Sequence, residues 1–111
     1  MITKVTILGR EYPIVYEDLS SENLWGEHCQ DELIIRVHND LTEDQTRTTI
    51  LHEALHAIFH ESGLNRSLTR KLEESICRAI EHGLFRSGLL KERFEDGSEK
   101  TGLARPANQD N

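Results

Sequence analysis

The sequence predicts an α+β domain in which an antiparallel sheet of three or four strands packs on two helices. Three observations carry that prediction. Residues before position 40 fall into short runs rich in β-branched and aromatic side chains, with apolar and polar positions alternating. At Leu41 the spacing of apolar residues changes from two to between three and four, the helical period. Third, the 111 residues are 36% hydrophobic and 30% charged, enough apolar side chain for one modest core and too little for two.

The elements follow in order. KVTIL (residues 4–8) and EYPIVYE (11–17) flank Gly9-Arg10 and predict a hairpin, with Pro13 placing a free edge on its second strand because proline has no amide to donate. NLWGEHC (23–29) and ELIIRVH (32–38) predict a second hairpin around Gln30-Asp31, and the β-branched density of ELIIRVH makes it the strongest strand of the four. Trp25, the only tryptophan, is expected in the core. Thr42-Glu43-Asp44-Gln45 is a capping box. The threonine oxygen takes an amide of the first turn, Gln45 reaches back, and two acids meet the positive end of the helix dipole. A helix is therefore expected over 43–61, stopping near Gly63, and a second over 68–86, stopping at Gly88. A short helical extension through Leu89, Leu90 and Phe94 would dock back on the body. The domain then covers 1–94, and 95–111, with little to bury, forms a disordered tail.

Composition excludes several functions. A net charge of −7 is the wrong sign for a nucleic-acid surface, and the one basic cluster, Arg66, Arg70 and Lys71, runs directly into Glu73 and Glu74. No apolar run is long enough to span a membrane and no leader peptide is visible, so a cytoplasmic protein without a membrane partner is expected. Cys29 and Cys77 form no metal-binding or disulfide pattern, and Cys77 reads as a small core residue.

Chemistry concentrates in ILHEALHAIF (50–59). Residues on a helix advance by about 100°, so His52 and His56 lie one turn apart on the same face and both rings can address one ion. Zinc accepts nitrogen and oxygen donors in a tetrahedron, which leaves two positions for another element and for water. Glu53 then reaches that water. A helix can also carry two histidines without any metal, but the intervening glutamate, the cap and the apolar context favour this HExxH reading. On the wheel Ile50, Leu51, Ala54, Leu55, Ala57 and Ile58 form the apolar arc, with both histidines just past its edge beside Phe59. His60 lies a turn too far along a straight helix to join them. The third protein ligand falls to Glu73 or Glu74. By wheel, Glu73 shares the stripe of Ile76, Cys77, Ile80 and Leu84, and Glu74 sits at its margin; each could equally be a dipole-favoured acid at a helix start.

Between about Leu33 and Phe85, roughly half of the chain, these features resemble the zincin-type metallopeptidases, in particular the ImmA/IrrE-like group and its short phage- and prophage-borne relatives. That group places a strand before an HExxH helix and takes its third ligand from a later helix, where a glutamate is followed by a small residue three on, an apolar residue six on and leucines ten and eleven on. Glu74 gives Cys77, Ile80, Leu84 and Phe85; Glu73 gives Ile76, Ala79, Gly83 and Leu84, a poorer fit. The resemblance thus implies Glu74. Two departures from the family stand out. Alanine-asparagine after the ligand is replaced by Cys77-Arg78, and an alanine of larger relatives is Glu81. Losing the asparagine removes a partner that would orient a ligating histidine.

The implied function is hydrolysis of a protein or peptide substrate by a zinc metallopeptidase. Zn2+ on His52, His56 and Glu74 would acidify its bound water and polarise the scissile carbonyl, and Glu53 would act as general base. Tyr16, His28 and His82 are the candidates for steadying the oxyanion. ELIIRVH, at a sheet edge above the cleft, would pair with an extended substrate, and loops 18–23 and 62–67 would form part of the cleft wall. The alternative is a non-catalytic zinc-binding protein of the same fold that acts as an interaction module. A metal-free helical interaction protein is a third.

Overall fold

The computed structural model describes residues 1–88, so the anticipated extension through Leu89, Leu90 and Phe94 and the tail over 95–111 lie outside the described residues. The order is β1 (Lys4–Ile7), β2 (Arg10–Glu17), a 3-10 turn (Ser20–Glu22), β3 (Gly26–Cys29), β4 (Ile34–His38), α1 (Glu43–Ser62), a second 3-10 turn (Leu64–Ser67) and α2 (Arg70–Ser87).

Both hairpins form. Ile7 pairs with Arg10, so the two-residue connection is Leu8-Gly9 rather than Gly9-Arg10. Both take positive φ, 47° and 85°, as a turn matching the twist of the strands requires. The hairpins do not add up to an antiparallel sheet, however. β4 inserts between β2 and β3 and runs parallel to β2, from Ile14↔Ile35 to Glu17↔His38, giving a mixed sheet in the order β1-β2-β4-β3. The segment from Asp18 to Trp25 is long enough to carry β3 past one strand position, and the strand richest in β-branched residues takes the slot flanked on both sides. The edge strand beside the helices is therefore β3, not ELIIRVH. Pro13 is tolerated within β2 for a local reason. The Ile14 amide donates to the Thr3 carbonyl at 2.9 Å, so the Pro13 nitrogen faces the other side, where pairing with β4 begins only at Ile14.

One face of the sheet is apolar and supports α1: Ile7, Tyr12, Ile14, Ile35 and Val37 form a cluster with Ile50 and Ala57. On the opposite face Arg36 binds Glu17 at 2.8 Å, Glu22 at 2.8 Å, and Glu27, clasping β2, the first 3-10 turn and β3 around β4. Those contacts hold the Arg36 pKa above its usual value. Trp25 is only half-buried and lies at the start of β3, where its carbonyl accepts from the His38 amide at 2.7 Å.

The capping box on α1 is complete. Thr42 Oγ1 accepts from the Gln45 amide at 3.1 Å and Gln45 Oε1 accepts from the Thr42 amide at 3.0 Å. Gly63 closes the helix at φ 82°. Thr69 caps α2 by accepting from the Leu72 amide at 3.0 Å. The layers run sheet, α1, α2. A second cluster of Leu55, Phe59 and Cys77, flanked by Leu51, Leu68 and Ile76, joins the two helices, with Cys77 a core residue as expected. Because α1 is covered on two sides, the polar positions beside its apolar arc are the deeper ones. His52, Glu53 and His56 are 0%, 1% and 9% exposed, whereas Ile58, assigned by the wheel to the buried arc, is 38% exposed.

Candidate metal centre

Helix spacing stacks the two imidazoles of α1, whose ring centroids are 5.0 Å apart. α2 presents three carboxylates to them. His56 Nε2 is 2.9 Å from Glu74 Oε1, and His52 Nε2 straddles the carboxylate at 3.3 Å from Oε1 and 3.2 Å from Oε2. On the far side of each ring a different acid is bound: His52 Nδ1 lies 2.7 Å from Glu81 Oε1, and His56 Nδ1 lies 2.6 Å from Glu73 Oε2. Arg78, four residues after Glu74, donates to its other oxygen at 3.2 Å.

This arrangement is electrostatically incomplete with neutral imidazoles. A neutral ring carries one N–H, and when Nδ1 donates it to Glu81 or Glu73, Nε2 turns a lone pair toward the Glu74 carboxylate. Acceptors facing one another at 2.9 and 3.3 Å need a proton or a cation between them. Without a metal, protons fill that role. Burial is the largest influence on His56 and would lower its pKa, but contacts to Cys77, Glu74 and Glu73 reverse it and hold it at about 11. Burial would likewise raise the Glu74 pKa; hydrogen bonds from His52 and His56 outweigh it and keep the group well below the usual carboxylate range.

A divalent ion fits the same place. His52, His56 and Glu74 each offer one ligand atom and these lie within 4.8 Å of one another, the only such group among the described residues. A tetrahedral ion bound at about 2.0–2.1 Å holds its ligands roughly 3.3 Å apart, close to the 2.9 and 3.3 Å between each Nε2 and Glu74 Oε1, and a two-nitrogen, one-oxygen set suits zinc. His60 is not part of the group. Glu73, favoured by the wheel, sits on the Nδ1 side of His56 and faces away from the point where the two Nε2 atoms converge.

Beside the centre lies a cleft of ≈ 330 Å³, lined by Glu27, His28 and Gln30 from the sheet side, Glu53, His56 and His60 from α1, and Arg70 and Glu73 from α2; of the three ligand residues only His56 reaches it. Loops 18–23 and 62–67 do not line it. Of the anticipated oxyanion donors only His28 reaches the cleft, and its Nε2 is 2.7 Å from Gln30 Oε1; burial also lowers its pKa. Tyr16 donates to the Ile2 carbonyl at 2.7 Å, and His82 is exposed away from the cleft.

Two features were missed in the sequence. Glu81 is the oriented partner of His52, and its signal was present: an acid eight residues after Glu73 on the stripe through Cys77. Gly26 is the other. A Cβ there would come within 2.5 Å of Thr49 Cγ2 and 3.4 Å of Glu53 Cγ, so glycine is what lets the edge strand touch α1 beside the central glutamate of HEALH.

The family model for the IrrE N-terminal-like domain, a peptidase family (Peptidase_M78), matches residues 11–95. No curated protein and no solved structure matches the chain. Among the described residues no helix is long and apolar enough to cross a membrane.

Proposed function

The chain belongs to the family of the IrrE N-terminal-like domain, a family of peptidases, and from that premise we propose that it is a zinc-dependent metallopeptidase. The observation that carries this reading is the convergence of two Nε2 atoms on one carboxylate, beside a cleft that His56 and Glu53 line. His52, His56 and Glu74 would hold the ion. When bound, it supplies Lewis acidity that polarises a scissile carbonyl and acidifies a water.

The chain's own groups do the rest. Glu53 takes a proton from the attacking water on its carboxylate and returns it to the leaving amine. Its near-complete burial favours that exchange by keeping bulk water away from the transferred proton. β3, the edge strand in contact with Glu53, offers an extended peptide a line along which to add as a further strand. Protein or peptide is therefore the substrate class; nucleic acid and membrane are not partners in this reading, and a cytoplasmic setting agrees with it.

Glu53→Gln tests the assignment. It is expected to keep one zinc per chain while hydrolysis of a denatured protein substrate falls by about 100- to 10,000-fold. Activity retained in that variant removes Glu53 from the role, and zinc bound by the parent protein with no cleavage favours the interaction-module alternative.

A further inference from the structure

We infer that Glu81 and Glu73 are positioning residues for the metal centre, each fixing the tautomer and ring angle of one ligating histidine. This rests on the metal reading above. Neither acid belongs to the three-residue group whose ligand atoms converge. Both instead contact the ring nitrogen facing away from it, at 2.7 Å for Glu81 to His52 and 2.6 Å for Glu73 to His56. These lengths are those of charge-assisted hydrogen bonds, in which Nδ1 donates to a carboxylate.

The placement follows from the helix pairing. α1 advances from His52 to His56 as its contacts on α2 step back from Glu81 to Glu73. Glu73, Cys77 and Glu81 are four apart and make one buried stripe on α2, exposed by 8%, 0% and 2%. Carboxylates are seldom so deep, because desolvation of the charged form is costly unless a donor compensates it. Here the compensating donor is the imidazole, and the exchange also serves the metal: an Nδ1–H locked on an acid leaves Nε2 as a lone pair aimed at the ion and raises its basicity. The two rings are not equivalent. His52 with Glu81 is sealed in the interior, while His56 with Glu73 lines the cleft, so Glu81 has the larger effect.

Zinc affinity of the full chain, measured by competition with a chromophoric chelator, tests the assignment without any reading of peptidase activity. Glu81→Ala is expected to weaken zinc binding by about 10- to 100-fold, and Glu81→Gln, which keeps an oxygen to accept the Nδ1–H but loses the charge, by a smaller factor. Glu73→Gln should show a smaller loss than Glu81→Gln. Cobalt-loaded variants at saturation should keep the parent's visible absorption, since the three ligands are untouched. If Glu81→Ala does not fold, Glu81→Gln alone decides: affinity below the parent supports the role and equal affinity overturns it. Lower thermal stability of the metal-free variants with unchanged zinc affinity also overturns it. Failure of the parent chain to bind zinc is a different result, and it brings down the metalloenzyme reading itself.

Discussion

The two flanks of α1 are both buried and have opposite chemistry. Toward the sheet, Ile50 and Ala57 meet Ile35 and Val37, side chains that gain by leaving water and ask nothing of one another but fit. Toward α2, His52 and His56 meet Glu73, Glu74 and Glu81, groups whose removal from water is costly and is offset by mutual hydrogen bonds. One flank fixes the fold and the other gathers the proposed metal ligands, so substitutions on each should separate stability from metal chemistry.

The widest separation is expected on the α2 side. Glu74→Ala should lower zinc affinity beyond the roughly 10- to 100-fold typical of an outer partner, while Glu73→Ala stays within that range. Zinc titrations of the two variants decide, and loss confined to Glu73→Ala would make Glu73 the ligand. On the sheet side, Ile35→Ala should cost about 2–5 kcal/mol of stability in denaturant unfolding and leave the zinc affinity of the folded protein at its parent value. A parallel fall in affinity would show that the flanks are not separable.

Gly26→Ala probes their meeting point. The added methyl must displace Thr49 or the edge strand, and a loss of about 1–3 kcal/mol is expected, together with a reduced kcat as β3 shifts beside Glu53. Taken per pH unit, the smallest effect is on pH. In the metal-free protein the raised pKa of His56 contributes stability that is complete below its ordinary value of 6.5 and is lost as pH climbs toward about 11. The lowered pKa of Glu74 contributes stability that is complete above 4.5 and is lost on acidification. With chelator present, unfolding free energy should therefore decline above about pH 6.5, by no more than about 1.4 kcal/mol per pH unit from one group. A flat profile would mean that His56 is not held as a cation.

Local chemistry made much of this legible in the residues. The capping box, the glycine stops and the β-branched run over 34–38 all act within a few positions, and each element appeared within about three residues of its expected ends. How the hairpins dock is not local. Nothing in NLWGEHC or ELIIRVH states that the second hairpin presents its later strand to the first, and so the parallel pairing of β2 with β4 went unseen. The site divides in the same way. HEALH is a single-helix pattern and could be read directly, whereas the roles of Glu73, Glu74 and Glu81 depend on how α2 is rotated against α1. A wheel drawn for α2 by itself gives Glu73 the inner position correctly; being inward places it behind His56 instead of at the point of convergence.

The second helix leans on the first and makes no comparable contact with the sheet. The three carboxylates that contact the histidines ride on it. An ion shared by the two helices would then act as a rivet, and its binding energy would count directly toward keeping α2 in place, growing with the logarithm of free metal. Starved of metal, the chain would loosen first at this seam, with its sheet intact, so that supply of the ion would govern how long the folded form survives as well as whether it can react.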